Sequence, residues 1–176
     1  MKKPYYIEKQ KFGSLSLNLS MGVIYSIVIG FLSYALTKQF VLNELWSHKE
    51  VSDKGLMVAS VLFILVLLVA HFLLFTSKLT INIGSKGIFY KFPPYFNTTK
   101  EIKRSSIISY KLIRYNAIRD FGGRGVKKSS SKKVRALTVS GNTGLLIKLN
   151  NKKEILLGTQ RSTAIDKAMR RLMSSK

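Results

Sequence analysis

Residues Leu56–Thr76 read LMVASVLFILVLLVAHFLLFT. The run carries no Lys, Arg, Asp or Glu, and only Ser60, His71 and Thr76 break its apolar character. At about 1.5 Å of rise per residue, a helix of this length crosses a hydrocarbon layer roughly 30 Å thick. Soluble cores seldom bury so long an uncharged helix, so the stretch predicts a membrane span. Toward the N-terminus, Leu17–Leu36 reads LNLSMGVIYSIVIGFLSYAL and is also free of charge. It is longer than the apolar part of a secretory signal, and the following TKQFVLNELW offers no small-x-small cleavage site. The expectation is an uncleaved first span. Residues 1–77 then form an N-terminal tail and a two-helix transmembrane hairpin, and residues 78–176 form a second domain.

The hairpin decides how the charge is read. The chain holds 30 Lys and Arg against 8 Asp and Glu, a formal net charge of +22. The N-terminal tail has Lys2, Lys3, Lys9 and Lys11 against Glu8. The connector between the spans balances Lys38, Lys49 and Lys54 with Glu44, Glu50 and Asp53. After the second span come 23 basic and 4 acidic residues. Basic flanks stay in the cytoplasm, so both termini are expected inside and the connector outside, with Phe40 and Trp46 at the outer headgroup level.

Within the first span, Gly22, Ser26, Gly30 and Ser33 recur at helical spacing. Small residues let helix backbones approach closely. Packing against the second helix of the same chain is the expectation, with a homodimer seam as the alternative. An ionisable group in a span can relay protons. His71 finds no carboxylate in either span, however, and reads as a packing or snorkelling residue.

Beyond Ser77 the pattern becomes alternating. Leu79, Ile81 and Ile83 share one face, as do Ile88, Tyr90 and Phe92 before Pro93-Pro94 stops the strand. Further strands are expected near 101–103, 108–112, 134–140, 145–149 and 154–157, with turns at GNTG and NNKK. Ile165, Ala168, Met169 and Leu172 then fall on one stripe of a C-terminal helix. Ser162 or Thr163 is the expected N-cap, with Asp166 at capping-box distance from Thr163. The fold class is therefore a membrane α-helical hairpin plus an α+β domain of about seven antiparallel strands and a C-terminal helix.

The segments LTINIGSKGIFYKFPP (79–94), DFGGRGV (120–126), VSGNTGLLIKL (139–149) and KEILLGTQRS (153–162) carry a resemblance. Residues 78–175 resemble the pleckstrin-homology-like (PH-like) domain of small bacterial membrane proteins that carry two transmembrane helices before it. The resemblance implies a PH-like antiparallel barrel of about seven strands, closed by the C-terminal helix, at the inner face of a bacterial cell membrane. It implies little about function, because a fold does not fix one.

FGGRGVKKSSSKKVR, residues 121–135, looks at first like a phosphate loop. It fails that test. GxxxxGK[ST] is not matched, since Val126 precedes Lys127, and a strand follows where a helix is needed. GxGxxG is absent too. Gly122, Gly123 and Gly125 read instead as positive-φ positions of a reversal between strands. The cations remain. Arg124, Lys127, Lys128, Lys132 and Lys133, then Arg114 and Arg119, are the candidates for contact with anionic lipid phosphate. Each cation near an anionic leaflet gains on the order of 1 kcal/mol.

Four functions compete. The leading one is a non-enzymatic integral membrane protein whose basic domain binds anionic headgroups, a protein partner, or both. The second is an assembly subunit of a membrane complex without a specific lipid role, using a groove between the helix and a neighbouring strand. An enzyme is disfavoured. The soluble part has only Glu101, Asp120, Glu154 and Asp166 as carboxylates, has no histidine, and gives no nucleophile–base set by spacing. Asp120 reads as turn chemistry or as a partner of Arg119 or Arg124. A nucleic-acid binder rests on charge alone. With no cysteine there is no thiolate metal site or disulfide to consider, and no cofactor is expected.

Overall fold

The computed structural model describes residues 3–13, 15–44, 52–129 and 134–174. Lys132, Lys133 and Trp46 lie outside them. The chain divides into two compact units, Gly13–Phe75 and Met1–Phe12 with Thr76–Lys176.

The first unit is helical. Helix α1 spans Leu15–Leu36 and runs on as a π-helical turn, Thr37–Val41, and α2 spans Asp53–Thr76. Both are long and apolar enough to cross a membrane. Only 6% of the most apolar stretch of each is buried by protein, so neither is the core helix of a soluble fold. What α1 does cover is a seam of Met21, Tyr25, Val28, Leu32 and Ala35, at alternating spacings of four and three. On α2, Leu56 and Ser60 are buried, and Leu67, His71 and Leu74 are half-buried. The expected packing stripe is not on this seam. Gly22, Ser26, Gly30 and Ser33 are all exposed, and a Cβ at Gly22 or Gly30 would meet nothing within 4 Å. The larger neighbours Tyr25, Val28 and Leu32 cover more apolar area, and they turn the small residues outward. His71 does have a partner, which is a phenol. Its Nδ1 lies 2.6 Å from the Tyr25 hydroxyl, and its ring stacks on Phe75 at 4.3 Å between centroids.

Among the described residues, the second unit has nine strands in two sheets. The first sheet holds β1 (Tyr6–Lys11), β2 (Lys78–Gly84), β3 (Gly87–Phe92) and β4 (Phe96–Lys103) in that order, antiparallel throughout. Its apolar alternation is the one expected: Leu79, Ile81, Ile83, Ile88 and Phe92 have no exposure. Gly87, with φ +155°, has no room for a side chain, because a Cβ there would sit 2.2 Å from the Ile102 carbonyl oxygen. A 3-10 turn, Arg104–Ser106, leads into the second sheet. That sheet comprises β5 (Ile107–Arg114), β6 (Gly125–Lys128), β7 (Val134–Thr138), β8 (Thr143–Leu149) and β9 (Glu154–Thr159), in the order β5-β8-β9-β7-β6. A short helix α3 (Ala117–Phe121) lies between β5 and β6, and α4 (Ser162–Ser174) ends the chain.

Three expectations are corrected. The sheets do not close into one barrel, because β4 and β5 are joined by the 3-10 turn and are not paired. The strands are not all antiparallel, since β7 and β9 run parallel. The cause is in β9: Leu156 and Leu157 face opposite sides, and neither is exposed. A strand covered on both faces belongs in the sheet interior, so it separates β7 from its sequence neighbour β8. Finally, the strand count rises above seven. β6 comes from the basic stretch, and β1 comes from the N-terminal tail that was assigned to the hairpin.

Strand β1 has an unusual inner face. Tyr6, Glu8 and Gln10 are buried, while Ile7 is 45% exposed. The Glu8 carboxylate accepts hydrogen bonds from Thr159 Oγ1 (2.7 Å), the Gln160 amide (2.9 Å) and the Tyr6 hydroxyl. Gln10 donates to the Gly158 carbonyl at 2.7 Å. The Arg161 guanidinium lies 5.0 Å from the Tyr6 ring centroid and donates to the Ile7 carbonyl. Burial and then the bond to Glu8 push the Tyr6 phenol up to about 12. A buried carboxylate is costly unless its oxygens are satisfied, and here the end of β9 supplies the donors.

Helix α4 lays Ile165, Ala168, Met169 and Leu172 on the core between the sheets, as its stripe predicts. Asp166 pairs with Arg170 at 2.9 Å, and Arg104 donates to the Met173 carbonyl at the helix end.

Candidate functional site

The glycine–lysine stretch is a helix cap followed by a strand. Asn116 caps α3, accepting from the amides of Ile118 (3.1 Å) and Arg119 (3.0 Å). Asp120 returns the favour to the Asn116 amide at 2.8 Å and pairs with Arg119 at 3.2 Å, which is the turn chemistry expected of it. Gly122, at φ +69°, ends the helix, with its amide on Ile118 and that of Gly123 on Ala117. Gly123 (φ +132°) and Gly125 (φ +104°) complete the reversal. At Gly125 a Cβ would approach the Tyr95 hydroxyl to 3.1 Å. The glycines thus have the conformational role read from the sequence.

Strand β6 then separates the cations. Gly125 pairs with Thr138 at one end of the sheet, and Lys128 pairs with Arg135 toward the other. Four strand residues carry the chain about 13 Å. Three places result. Arg114 and Arg119 line a cavity of about 840 Å³ over the outer face of the second sheet, together with Lys111, Lys148, Asp120 and Glu154. The floor of that face is a small cluster of Tyr115, Ala117, Val134, Ala136 and Leu156. Burial raises the Tyr115 phenol, opposed by the Arg124 charge. Lys127 and Lys128 instead line a cleft of about 600 Å³ with Tyr90, Arg135, Lys153 and Glu154. Nearby, Arg135 and Lys100 both sit over the Phe96 ring, at 5.8 and 4.7 Å from its centroid. Burial raises the Tyr90 phenol, and Arg135 opposes the rise. Arg124 joins neither group. Its guanidinium donates to the Val139 carbonyl at 3.0 Å.

Sequence reasoning found the cations of the stretch and missed their companions. Tyr90 reaches the cleft from β3, and Phe96 of β4 lies under Arg135 with Lys100 beside it; all three are some thirty residues upstream, and no local spacing announces them. Among the described residues, no three His, Cys, Asp or Glu side chains gather into a metal-holding group. Chemically, the two surfaces offer charge-assisted hydrogen bonds to an anion, and the Tyr90 ring adds an apolar wall to the cleft.

A scan against models of known protein families finds no match for this chain, and a search of curated proteins finds none similar to it.

Proposed function

We propose that this chain is a two-span integral protein of a bacterial cell membrane, without enzymatic activity, whose β-rich unit is a PH-like domain that meets anionic lipid headgroups at the cytoplasmic face. Two stacked sheets with a C-terminal helix across their core favour the PH-like reading. The observation that carries the membrane arrangement is the ladder between β1 and β2. Six residue pairs, Tyr6↔Ile83 to Lys11↔Lys78, join the tail before the first helix to the strand after the second. Those segments share one side of any membrane the helices cross, as two crossings require. Cleavage after the first helix would remove β1 and its buried Glu8. The excess of cations on both flanks favours the cytoplasmic side.

The anionic-lipid reading is tested on the full chain in vesicles. The chain has no cysteine, so Asn151→Cys gives one dye site on an exposed turn. Energy transfer to a headgroup acceptor should be stronger in phosphatidylglycerol than in phosphatidylcholine. Replacing Lys127, Lys128 and Arg135 by Glu, or Arg114 and Arg119 by Glu, should abolish the difference for whichever group makes the contact. Equal transfer in both lipids for the unaltered protein sinks this reading.

A protein partner is the second reading, favoured by the free edge of β5. Ile108 is 59% exposed there, and Tyr110 lies close enough to α4 to feel the charges of Asp166 and Arg170. An extended peptide would add to that edge as a strand. A stoichiometric partner crosslinked in the membrane, and retained when the basic groups are neutralised, would favour this reading over the lipid one.

A further inference from the structure

The most exposed large apolar side chain among the described residues is in neither membrane helix. It is Ile118 on α3, at 77%, above the 68% of Val41. A single exposed aliphatic residue needs no explanation on its own. Its place in the fold gives it one.

The chain leaves the β-rich unit after Lys11 and returns at Lys78, and these two are paired. From there a closed circuit of contacts runs around one rim of the unit. The Lys78 amide donates to the Pro93 carbonyl at 3.0 Å. The turn after Pro93 carries Tyr95, which packs on Gly125. Gly125 pairs with Thr138, whose Cα lies 3.3 Å from a Cβ built at Gly158. The Gly158 carbonyl accepts from Gln10, the neighbour of Lys11. Helix α3 stands on this rim, between Arg114 at the end of β5 and the glycines that lead to Gly125. Along the chain Ile118 is followed directly by Arg119 and stands between Arg114 and Arg124; the Arg124 guanidinium donates to the Val139 carbonyl just past the end of β7, and Tyr95 (45% exposed) belongs to the circuit. An exposed aliphatic residue on a short segment that also carries three arginines matches the bilayer interface, where apolar groups enter the acyl boundary and cations stay with phosphates.

We infer that this rim is a bilayer-contacting surface in which Ile118 inserts below the headgroups while Arg114, Arg119 and Arg124 hold lipid phosphates. The inference rests on the membrane-anchored reading above and adds which face of the unit meets the lipid. It selects the arginines of α3 and its flanks over the Lys127–Lys128 cleft, which lies away from the rim along β6.

The strand β5 supplies an internal control. Ile108, also exposed, is near its other end. In full chain carrying Trp46→Phe, which removes the sole tryptophan, Ile118→Trp and Ile108→Trp each place one indole. The proteins are reconstituted in phosphatidylglycerol–phosphatidylcholine vesicles, with and without lipids brominated on their acyl chains. The indole at position 118 should emit further to the blue and be quenched several-fold more than that at 108. Water-like emission and equal, weak quenching at both positions would overturn the inference. If that happens while the dye at position 151 still distinguishes anionic from neutral vesicles, the headgroup reading stands and only the choice of rim falls. If the dye makes no distinction either, both fall.

Discussion

Strands β1 and β2 lie side by side in one sheet and are built on opposite plans. β2 turns Leu79, Ile81 and Ile83 to the core, with no exposure. β1 turns Tyr6, Glu8 and Gln10 to the same core and leaves Ile7 outside. The first is held by area removed from water, which is strong and indifferent to the identity of the neighbour. The second is held by directed hydrogen bonds to Gly158, Thr159 and Gln160, which fix one register against the end of β9. A strand that joins the sheet from a distant part of the chain, across two long apolar helices, gains most from that kind of specificity. Burial alone would tolerate a two-residue slip, whereas the Glu8 bonds would not.

Glu8 and Ile81 are direct cross-strand partners, so the comparison can be broken from either side. Ile81→Ala leaves a cavity in the core and should cost about 2–5 kcal/mol, seen as a large drop in the thermal midpoint of the solubilised chain. Glu8→Ala strands the Gln160 amide and the Thr159 hydroxyl and should cost about 1–3 kcal/mol. Its effect should be local: hydrogen exchange of the β1 amides should quicken while β3 keeps its protection. Next in size comes alkaline pH. The Tyr6 phenol is raised from 10.0 to about 12 in the folded chain, so its contribution is intact below pH 10 and is lost as pH climbs through 12. Stability should fall across that window, and Tyr6→Phe should flatten the fall. The smallest effect is expected at Ile7→Lys, on the outer face, within about 0.5 kcal/mol. A large loss there would show that β1 had been read with its faces reversed.

The same contrast explains what the sequence reveals. The two helices, the strands β2, β3, β5, β7, β8 and β9, and α4 are visible because aliphatic residues recur at their periods: 79, 81 and 83 for β2, and 165, 168, 169 and 172 for α4; β4, FNTTKEIK, has Ile102 as its one aliphatic residue, and only its end near 101–103 is expected. YIEKQK hides β1, since its buried positions are the polar ones and its aliphatic residue points outward. GVKK and AIRDF, which form β6 and α3, are too short to carry a period. The order of strands is also invisible, for the double-sided burial of Leu156 and Leu157 becomes meaningful only once both faces of β9 are known. In the candidate site, the cations are legible as a run, but the structure sets Arg124 on the Val139 carbonyl, lines the cleft with Lys127, Lys128 and Arg135, and gives Arg114 and Arg119 to a separate cavity. On α1, spacing alone finds a small-residue stripe; the bulk of Tyr25, Val28 and Leu32 decides that this stripe faces away from α2. The Tyr25–His71 pair is hidden in the sequence because the partner of the imidazole is a phenol on the other helix, 46 residues away, and not a carboxylate.

The paired strands on either side of the hairpin are the centre of the account, and the sidedness of the chain tests them most directly. Single cysteines at Lys3, Asn43 and Asn151 can be labelled with a membrane-impermeant maleimide in oriented vesicles. Positions 3 and 151 should react from the same, cytoplasmic face, and position 43 from the opposite one. Labelling of 3 and 151 from opposite faces would mean that β1 and β2 never meet, and the two-span arrangement would be wrong.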